Sequence, residues 1–245
     1  MARIIAVLAG FMAFMAFARA EDMKKVPITV YYESLCPDSM KFFVDQLYPT
    51  WTSLSQYMDL TLVPYGRANY SMAEDGSGKY MFECRHGEHE CEGDRIHICA
   101  INKMPMQDYM KLIKCTMSMS MTANNSSAYP GKQCAASVGI TDYSPIEKCV
   151  TDMAESDKLF VAMGNKTMEL KPKLESVPAI TFKDEYKPSE QAKYRSDLKM
   201  AVCSMIMGEK PEACKAGPKG SAGNLVPEFA VYASLAVIST IFARM

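Results

Sequence analysis

Nine cysteines behind a leader-like N-terminus constrain the fold of this chain more than any other feature of its sequence. The first twenty residues carry one early positive charge, at Arg3, and then a short apolar run that closes on the small-x-small triplet Ala18-Arg19-Ala20. This order is typical of a secretory signal peptide spanning residues 1–20, so we expect cleavage to leave Glu21 as the mature terminus. In the oxidising secretory pathway, cysteines serve first as disulfide partners.

The odd number of cysteines leaves at least one thiol that is unpaired or pairs between chains. We expect that thiol to be Cys36, for reasons of position given below. Eight cysteines can pair in on the order of a hundred ways, and the sequence does not choose among them. The cysteines expected in disulfides are Cys84, Cys91, Cys99, Cys115, Cys134, Cys149, Cys203 and Cys214.

Acceptor sequons for N-linked glycans are consistent with the same route. A secretory protein of this kind is expected to be secreted or delivered to endosomes and lysosomes. The four sequons begin at Asn69, Asn124, Asn125 and Asn165.

The C-terminal end has three alternative fates. Residues 216–224 form a small, flexible linker, and residues 225–245 form a hydrophobic tail whose apolar part runs from Phe229 to Ala243. As a helix this part would span about 22 Å, which is less than the ~30 Å hydrocarbon core of a bilayer. Small residues followed by an apolar tail are also the order of a GPI-attachment signal. A GPI-anchored surface form, a transmembrane anchor and no anchor all stay open.

The remaining chain, residues 21–215, predicts an α/β domain. Val26–Tyr32 is rich in β-branched and aromatic residues and predicts a buried strand, and Leu60–Val63 predicts a second. Residues 65–171 hold six of the nine cysteines and Met-rich helical segments, which predicts a disulfide-braced, mainly helical insertion. A proline-led strand at Val177–Phe182 and a closing helix capped by Ser189 complete the plan.

Cys36 heads the most reactive motif of the sequence, Cys36-Pro37-Asp38-Ser39. It lies where the first strand passes into a helix whose first turn accommodates Pro37. A thiol at a helix start faces unpaired backbone N–H groups, which favour the thiolate that attacks disulfides. A dithiol enzyme needs a second thiol three residues later, and Ser39 occupies that place. The Asp38 carboxylate would oppose the thiolate by like charge.

Three cysteines and all three histidines fall within the sixteen residues from Cys84 to Cys99, a composition that is compatible with a zinc site. The cysteines are seven and eight positions apart and lack the close pair usual in structural zinc sites. We therefore predict disulfides within a local turn and no metal. The twenty-one methionines are assigned to helix packing rather than copper binding, and no cofactor is expected.

A formal net charge of −1 argues against a nucleic-acid partner, because such binding needs a concentrated basic face. We expect instead protein substrates or protein binding partners, held by a mixed disulfide at Cys36, and contact with a membrane only through a C-terminal anchor.

The sixteen-residue block, the context of Cys36 and the pair Val177-Pro178 together resemble the gamma-interferon-inducible lysosomal thiol reductases. The signature of that family is C-Q-H-G-x-x-E-C-x-x-N-x-x-x-x-C. This chain departs from it at Arg85, for Gln, and at Asp94, for Asn. The positions that match are Cys84, His86, Gly87, Glu90, Cys91 and Cys99.

The resemblance covers residues 26–215 and implies a thioredoxin-like fold with a helical insertion. It also implies that Pro178 is a cis-proline facing the nucleophile Cys36. The family's active site is a Cys-x-x-Cys pair, and Ser39 stands in place of the second cysteine. Three functions follow: monothiol exchange through Cys36, a binding protein without turnover, or a full reductase that uses another cysteine.

Overall fold

The computed structural model describes residues 24–122 and 128–215. The described residues up to Cys214 belong to one compact unit, and Lys215 belongs to a second. The predicted signal peptide, linker and hydrophobic tail, and the sequons at Asn124 and Asn125, lie outside the described residues. Within the described ranges, no helix is both long enough and apolar enough to cross a bilayer.

Six strands and ten α-helices make up the described chain. The strands are β1 (Val26–Tyr32), β2 (Met58–Pro64), β3 (Asn69–Met72), β4 (Tyr80–Glu83), β5 (Ala179–Phe182) and β6 (Glu185–Tyr186). The helices are α1 (Pro37–Phe42), α2 (Tyr48–Leu54), α3 (Glu88–Lys103), α4 (Met106–Thr122), α5 (Gly131–Ser137), α6 (Ser144–Thr151), α7 (Met153–Met168), α8 (Gln191–Ser196), α9 (Leu198–Met205) and α10 (Glu212–Lys215). A π-helical segment, Phe43–Leu47, joins α1 to α2.

A four-stranded sheet in the order β2-β1-β5-β6 forms the centre of the domain. Strand β1 pairs with β2 in parallel and with β5 antiparallel, and β5 pairs antiparallel with β6. Six of the seven residues of β1 are buried, as expected of a central strand covered on both faces. A parallel β-α-β unit followed by two antiparallel strands and closing helices is the thioredoxin-like arrangement. The predicted fold class is confirmed.

The segment between β2 and β5 is mainly helical, as predicted, and contains α3 to α7. It also contains the antiparallel hairpin β3–β4, which was not identified in the sequence. The hairpin's strands are only four residues long and partly exposed. Periodicity therefore had little to detect.

Four disulfides brace the domain: Cys84–Cys91, Cys99–Cys149, Cys115–Cys134 and Cys203–Cys214. The prediction that the cysteines of residues 84–99 form disulfides within a local turn holds only for Cys84 and Cys91. Cys99 lies eight residues beyond Cys91 on the same helix, about 12 Å along its axis, which is beyond disulfide reach. It bonds instead to Cys149, and thereby ties α3 to α6.

The closing helix differs from its prediction at its start. Ser189 lies inside a 3₁₀ turn, Pro188–Glu190, and does not cap the helix that follows. The chain breaks again at Asp197, whose Oδ1 accepts a hydrogen bond from the backbone N–H of Met200 at 3.0 Å and so caps α9. Aspartate is among the best N-cap residues, which explains the new helix start. Leu198 and Val202 of α9 are both buried.

We predict that removing the Cys99–Cys149 disulfide destabilises the domain more than removing Cys203–Cys214. The two bonds span 50 and 11 residues, for which loss of loop-closure entropy gives about 4 and about 3 kcal/mol. Cys99 and Cys149 are also fully buried, so their truncation leaves a cavity. Urea unfolding of Cys99→Ala/Cys149→Ala and Cys203→Ala/Cys214→Ala measures both free energies. Equal losses in the two variants would contradict this ranking.

Candidate functional site

Cys36 is the N-cap residue of α1, four residues beyond the end of β1. Its carbonyl accepts the hydrogen bond from the backbone N–H of Met40 at 2.9 Å, the first of the helix, and Pro37 occupies the first helical position. All nine cysteines lie in the described residues, and Cys36 is the unpaired one. Its exposed fraction is only 9%, so the thiol is less accessible than its helix-start position suggested.

Ser39 lies about one helical turn after Cys36 and is completely buried. The backbone N–H of Glu33 donates to Ser39 Oγ at 3.4 Å. The hydroxyl therefore helps to hold the segment between β1 and α1, a structural contact that the motif alone did not indicate.

The Val177–Pro178 peptide bond is cis, and Pro178 directly precedes β5. Tyr31 of β1 pairs with Ala179 of β5 in antiparallel register. Pro178 is thereby placed at the end of the sheet where β1 leaves towards Cys36. A second cis bond, Lys171–Pro172, lies a few residues earlier and was not foreseen.

The Cys- and His-rich block folds as a turn followed by helix α3. Cys84, Cys91 and Cys99 are all in disulfides, so none of them supplies a thiolate to a metal. The block instead brings side chains of α3 against the segment that carries Cys36. The close approach is made at Gly93, where a Cβ atom would lie 2.5 Å from Ser34 Oγ and 2.7 Å from the Tyr129 ring.

His86 lies between two buried glutamates. Its Nδ1 is 2.6 Å from Glu90 Oε2 and 3.6 Å from Glu33 Oε2, and its backbone N–H donates to Glu90 Oε1 at 3.0 Å. The imidazole side chain is 38% exposed, whereas both carboxylates are almost fully buried. The two acids therefore hold a histidine that solvent still reaches.

Glu33 has one satisfied and one unsatisfied oxygen. Oε1 accepts from the backbone N–H of Arg67 at 2.8 Å, but Oε2 has no hydrogen-bond partner among the described residues. Burial raises the pKa of Glu33, a shift that the Arg67 N–H opposes and the charge of Glu90 reinforces. Gly66 makes room for this side chain, since a Cβ there would lie 2.2 Å from Glu33 Cγ.

Glu33, Cys36 and His86 form one cluster, in which a carboxylate oxygen, the sulfur and an imidazole nitrogen all lie within 4.8 Å of one another. Sequence reasoning missed this cluster. Glu33 was seen only as part of the motif before Cys36, and His86 only as a position of the family signature. The detectable signal was an acid directly after a buried strand, where a side chain of that type needs a partner.

Asp94 adds a third buried carboxyl group beneath the Cys36 segment. Its Oδ1 accepts from the backbone N–H of Ser34 at 2.9 Å, Ser34 Oγ donates to the Glu90 carbonyl at 3.0 Å, and Asp94 Oδ2 has no partner among the described residues. Burial, followed by the charge of Glu90, raises the pKa of Asp94 well above its usual range. This is the position at which the family signature has Asn.

The other two histidines lie away from the thiol cluster. His97 is fully buried, with Nδ1 3.3 Å from the Tyr32 hydroxyl and Nε2 3.0 Å from both Thr116 Oγ1 and the Tyr129 hydroxyl. Burial lowers its pKa to about 3, so it is a neutral core residue. His89 is exposed, with Nδ1 3.3 Å from Glu92 Oε2.

Two predicted glycosylation sites lie in described residues. Asn69 begins β3 and is exposed. Asn165 is an exposed residue of α7, and its Oδ1 accepts a hydrogen bond from the Tyr70 hydroxyl at 2.6 Å.

Comparison with known proteins gives concordant matches. Residues 27–138 match the family model described as Gamma interferon inducible lysosomal thiol reductase (GILT). The chain is 32% identical over 229 residues to GILT-like protein 1 of Drosophila melanogaster, covering 89% of this chain and 90% of that protein. It is 38% identical over 198 residues to the gamma-interferon-inducible lysosomal thiol reductase of Carassius auratus, covering 79% and 74% of the two chains.

Among solved structures, the chain is similar to DsbA of Chlamydia trachomatis, with a TM-score of 0.48 and 10% identity over 76% of this chain and 90% of that one. It is similar to the oxidoreductase DsbA of Xylella fastidiosa with a TM-score of 0.47 and 12% identity, over 74% and 90%.

We predict that Asp94→Asn stabilises the protein increasingly as pH rises. Because the pKa of Asp94 is raised in the folded state, the native protein holds a proton there that the unfolded chain has lost, and stability falls as pH rises above about 4. The lowered pKa of His97 has the opposite effect, so that stability rises with pH up to about pH 6.5. The contribution of Asp94 is therefore isolated by the difference in unfolding free energy between Asp94→Asn and wild type. Asparagine keeps the acceptor for Ser34.

The measurement is the urea-unfolding free energy from about pH 4.5 to about pH 7. The advantage of Asp94→Asn should grow across this range, and by more than that of Asp59→Asn, the matched change of an exposed acid. A difference between Asp94→Asn and wild type that stays constant with pH would contradict the buried-carboxyl interpretation.

Proposed function

This chain belongs to the gamma-interferon-inducible lysosomal thiol reductase family, and we propose that it exchanges disulfides through the single thiol of Cys36. The observation that carries the proposal is the free Cys36 at the start of α1 with a buried serine in the resolving position. The chain thus has a thioredoxin-like fold and the nucleophile of a thiol-disulfide oxidoreductase, without the second thiol.

The exchange takes place in three steps. The Cys36 thiolate attacks one sulfur of a substrate disulfide, forms a mixed disulfide and expels the other sulfur as a thiolate, which takes up a proton. A small external thiol then attacks the Cys36 sulfur and releases the second substrate thiol, and a second small thiol regenerates Cys36. In sum, one substrate disulfide and two small thiols give two substrate thiols and one small-molecule disulfide.

No other cysteine is free to replace the missing thiol. The remaining eight form the four disulfides, so a full reductase that resolves through a different cysteine would first have to break one of them. This favours resolution of the mixed disulfide by an external small thiol.

His86 is the group best placed to receive the thiol proton. One of its ring nitrogens lies within 4.8 Å of the Cys36 sulfur, and Glu90 orients the ring through its 2.6 Å contact. Weak nucleophiles are usually activated in this way: a base lies beside the nucleophile, and a third group orients the base.

A groove beside this cluster offers space for a polypeptide substrate. It has a volume of about 680 Å³ and includes Gly66, which packs against Glu33. Three cations, Arg67, Arg85 and Lys173, lie along it. We infer that an extended segment with acidic residues near its disulfide fits here best, because opposite charge speeds encounter and sets orientation.

The second candidate function is a binding protein that retains the scaffold without turnover. The 9% exposure of Cys36 favours it, since a substrate disulfide must reach that sulfur. Turnover of a denatured disulfide substrate, measured with and without a small thiol, separates the two. Exchange gives turnover that requires the small thiol, and a pure binding protein gives none in either condition.

Four of the relatives carry lysosomal in their names, which supports delivery through the secretory pathway to endosomes or lysosomes. Secretion and a GPI-anchored surface form stay proposals that depend on the two ends of the chain.

We predict that pre-reduced Ser39→Cys, with no small thiol added, releases both substrate thiols at least tenfold faster than wild type, in a single turnover that leaves positions 36 and 39 joined by a disulfide. A thiol one turn from Cys36 makes the release step intramolecular, and the effective concentration then far exceeds that of bulk thiol. Turnover of a denatured disulfide protein is measured at acidic and neutral pH.

The controls are Ser39→Ala, which also loses the Glu33 N–H contact but adds no thiol, and Cys36→Ala/Ser39→Cys, which lacks the nucleophile. Both should stay at background. If Ser39→Cys folds normally and also stays at background, the binding-protein function is favoured.

A further inference from the structure

Three side chains of the types that ligate metals, the Cys36 thiol among them, converge from two separate parts of the chain. Glu33 and Cys36 lie in the segment between β1 and α1, and His86 lies in the turn before α3. Their ligand atoms lie within 4.8 Å of one another. Around one tetrahedral ion with bonds of about 2.0–2.3 Å, ligand atoms lie about 3.3–3.8 Å apart. A shift of about 1 Å would therefore bring all three onto a common ion.

The orphaned oxygen of Glu33 points independently to a ligand. The residue is 1% exposed, its Oε1 is held by Arg67, and Oε2 has no hydrogen-bond partner among the described residues. This oxygen is turned towards the cluster, 3.6 Å from His86 Nδ1. Buried polar atoms are nearly always satisfied, and a metal ion would satisfy this one.

We propose that Glu33, Cys36 and His86 bind a divalent transition metal, with zinc as the best fit, and that the bound ion blocks the Cys36 thiol. A thiolate, an imidazole and a carboxylate form the mixed sulfur, nitrogen and oxygen set that zinc accepts, whereas magnesium and calcium select oxygen alone. On binding, the ion displaces the thiol proton and forms a metal–sulfur bond, with no change of oxidation state. A fourth position stays open to water.

The surroundings suit such a site. Glu90 restrains the His86 ring through its 2.6 Å contact with Nδ1, and the partly exposed imidazole gives an ion a route from solvent. Ser39 contributes as well. A cysteine at that position could form an intramolecular disulfide with Cys36 and remove the ligand, a reaction that serine does not undergo.

This inference does not require Cys36 to turn over substrate. The proposal departs from the sequence-based expectation that the chain binds no metal. That expectation was argued from the block from Cys84 to Cys99, whose cysteines are all in disulfides. The ligand set proposed here takes only His86 from that block.

The test uses the folded, non-reduced protein, first treated with a chelator and then freed of it. Cobalt(II) is titrated as a spectroscopic probe, because a thiolate ligand gives an intense near-ultraviolet charge-transfer band. Competition with zinc then gives the zinc affinity. We expect the band in wild type, its loss in Cys36→Ser, and a zinc affinity at least tenfold weaker in His86→Gln and Glu33→Gln. His89→Gln, the matched change of an exposed histidine three residues from His86, should bind like wild type.

The rate of Cys36 alkylation provides a second readout that needs no variant. Zinc should slow alkylation at least tenfold, and a chelator should restore it. A wild-type protein without the cobalt band, or a cobalt band that Cys36→Ser retains, would overturn the proposal. Turnover measured in the presence of chelator tests disulfide exchange separately, so failure of one proposal is distinguishable from failure of the other.

Discussion

The close contact between helix α3 and the segment that follows β1 is the interaction on which the whole site depends. Gly93 allows the approach, since a Cβ atom would lie 2.5 Å from Ser34 Oγ. Ser34 then bonds twice to the helix, through its N–H to Asp94 and through its hydroxyl to the Glu90 carbonyl. Cys36 is therefore positioned by α3 as much as by its own helix.

This contact concentrates acids in a buried place. Glu33, Glu90 and Asp94 are all nearly inaccessible, and burial raises the pKa of Glu33 and Asp94. These raised pKa values make the fold more stable as pH falls. The lowered pKa of the buried His97 makes the fold less stable as pH falls. The dependence of stability on pH is thus a balance between the buried carboxyl groups and His97.

The replacement of the second active-site thiol affects one position and leaves the scaffold in place. Ser39 keeps the helix turn and bonds to the Glu33 N–H, so the segment between β1 and α1 stays ordered without a second cysteine. The chemistry changes because serine cannot resolve a mixed disulfide. What remains is a thiol beside a histidine and an unsatisfied carboxylate, a set with donors for a metal ion as well as for proton transfer.

Local sequence determined the elements that short-range forces control. The β-branched run of Val26–Tyr32 predicted the central strand, Pro37 marked the start of a helix, and an odd cysteine count together with position singled out Cys36. Only the tertiary structure decided which cysteines pair, as the long-range bond of Cys99 to Cys149 shows. It also brought His86 to within reach of Glu33 and buried Asp94. Such contacts join residues about 50 or more positions apart, and their geometry is set by how helices pack on the sheet, which no local pattern of residues encodes.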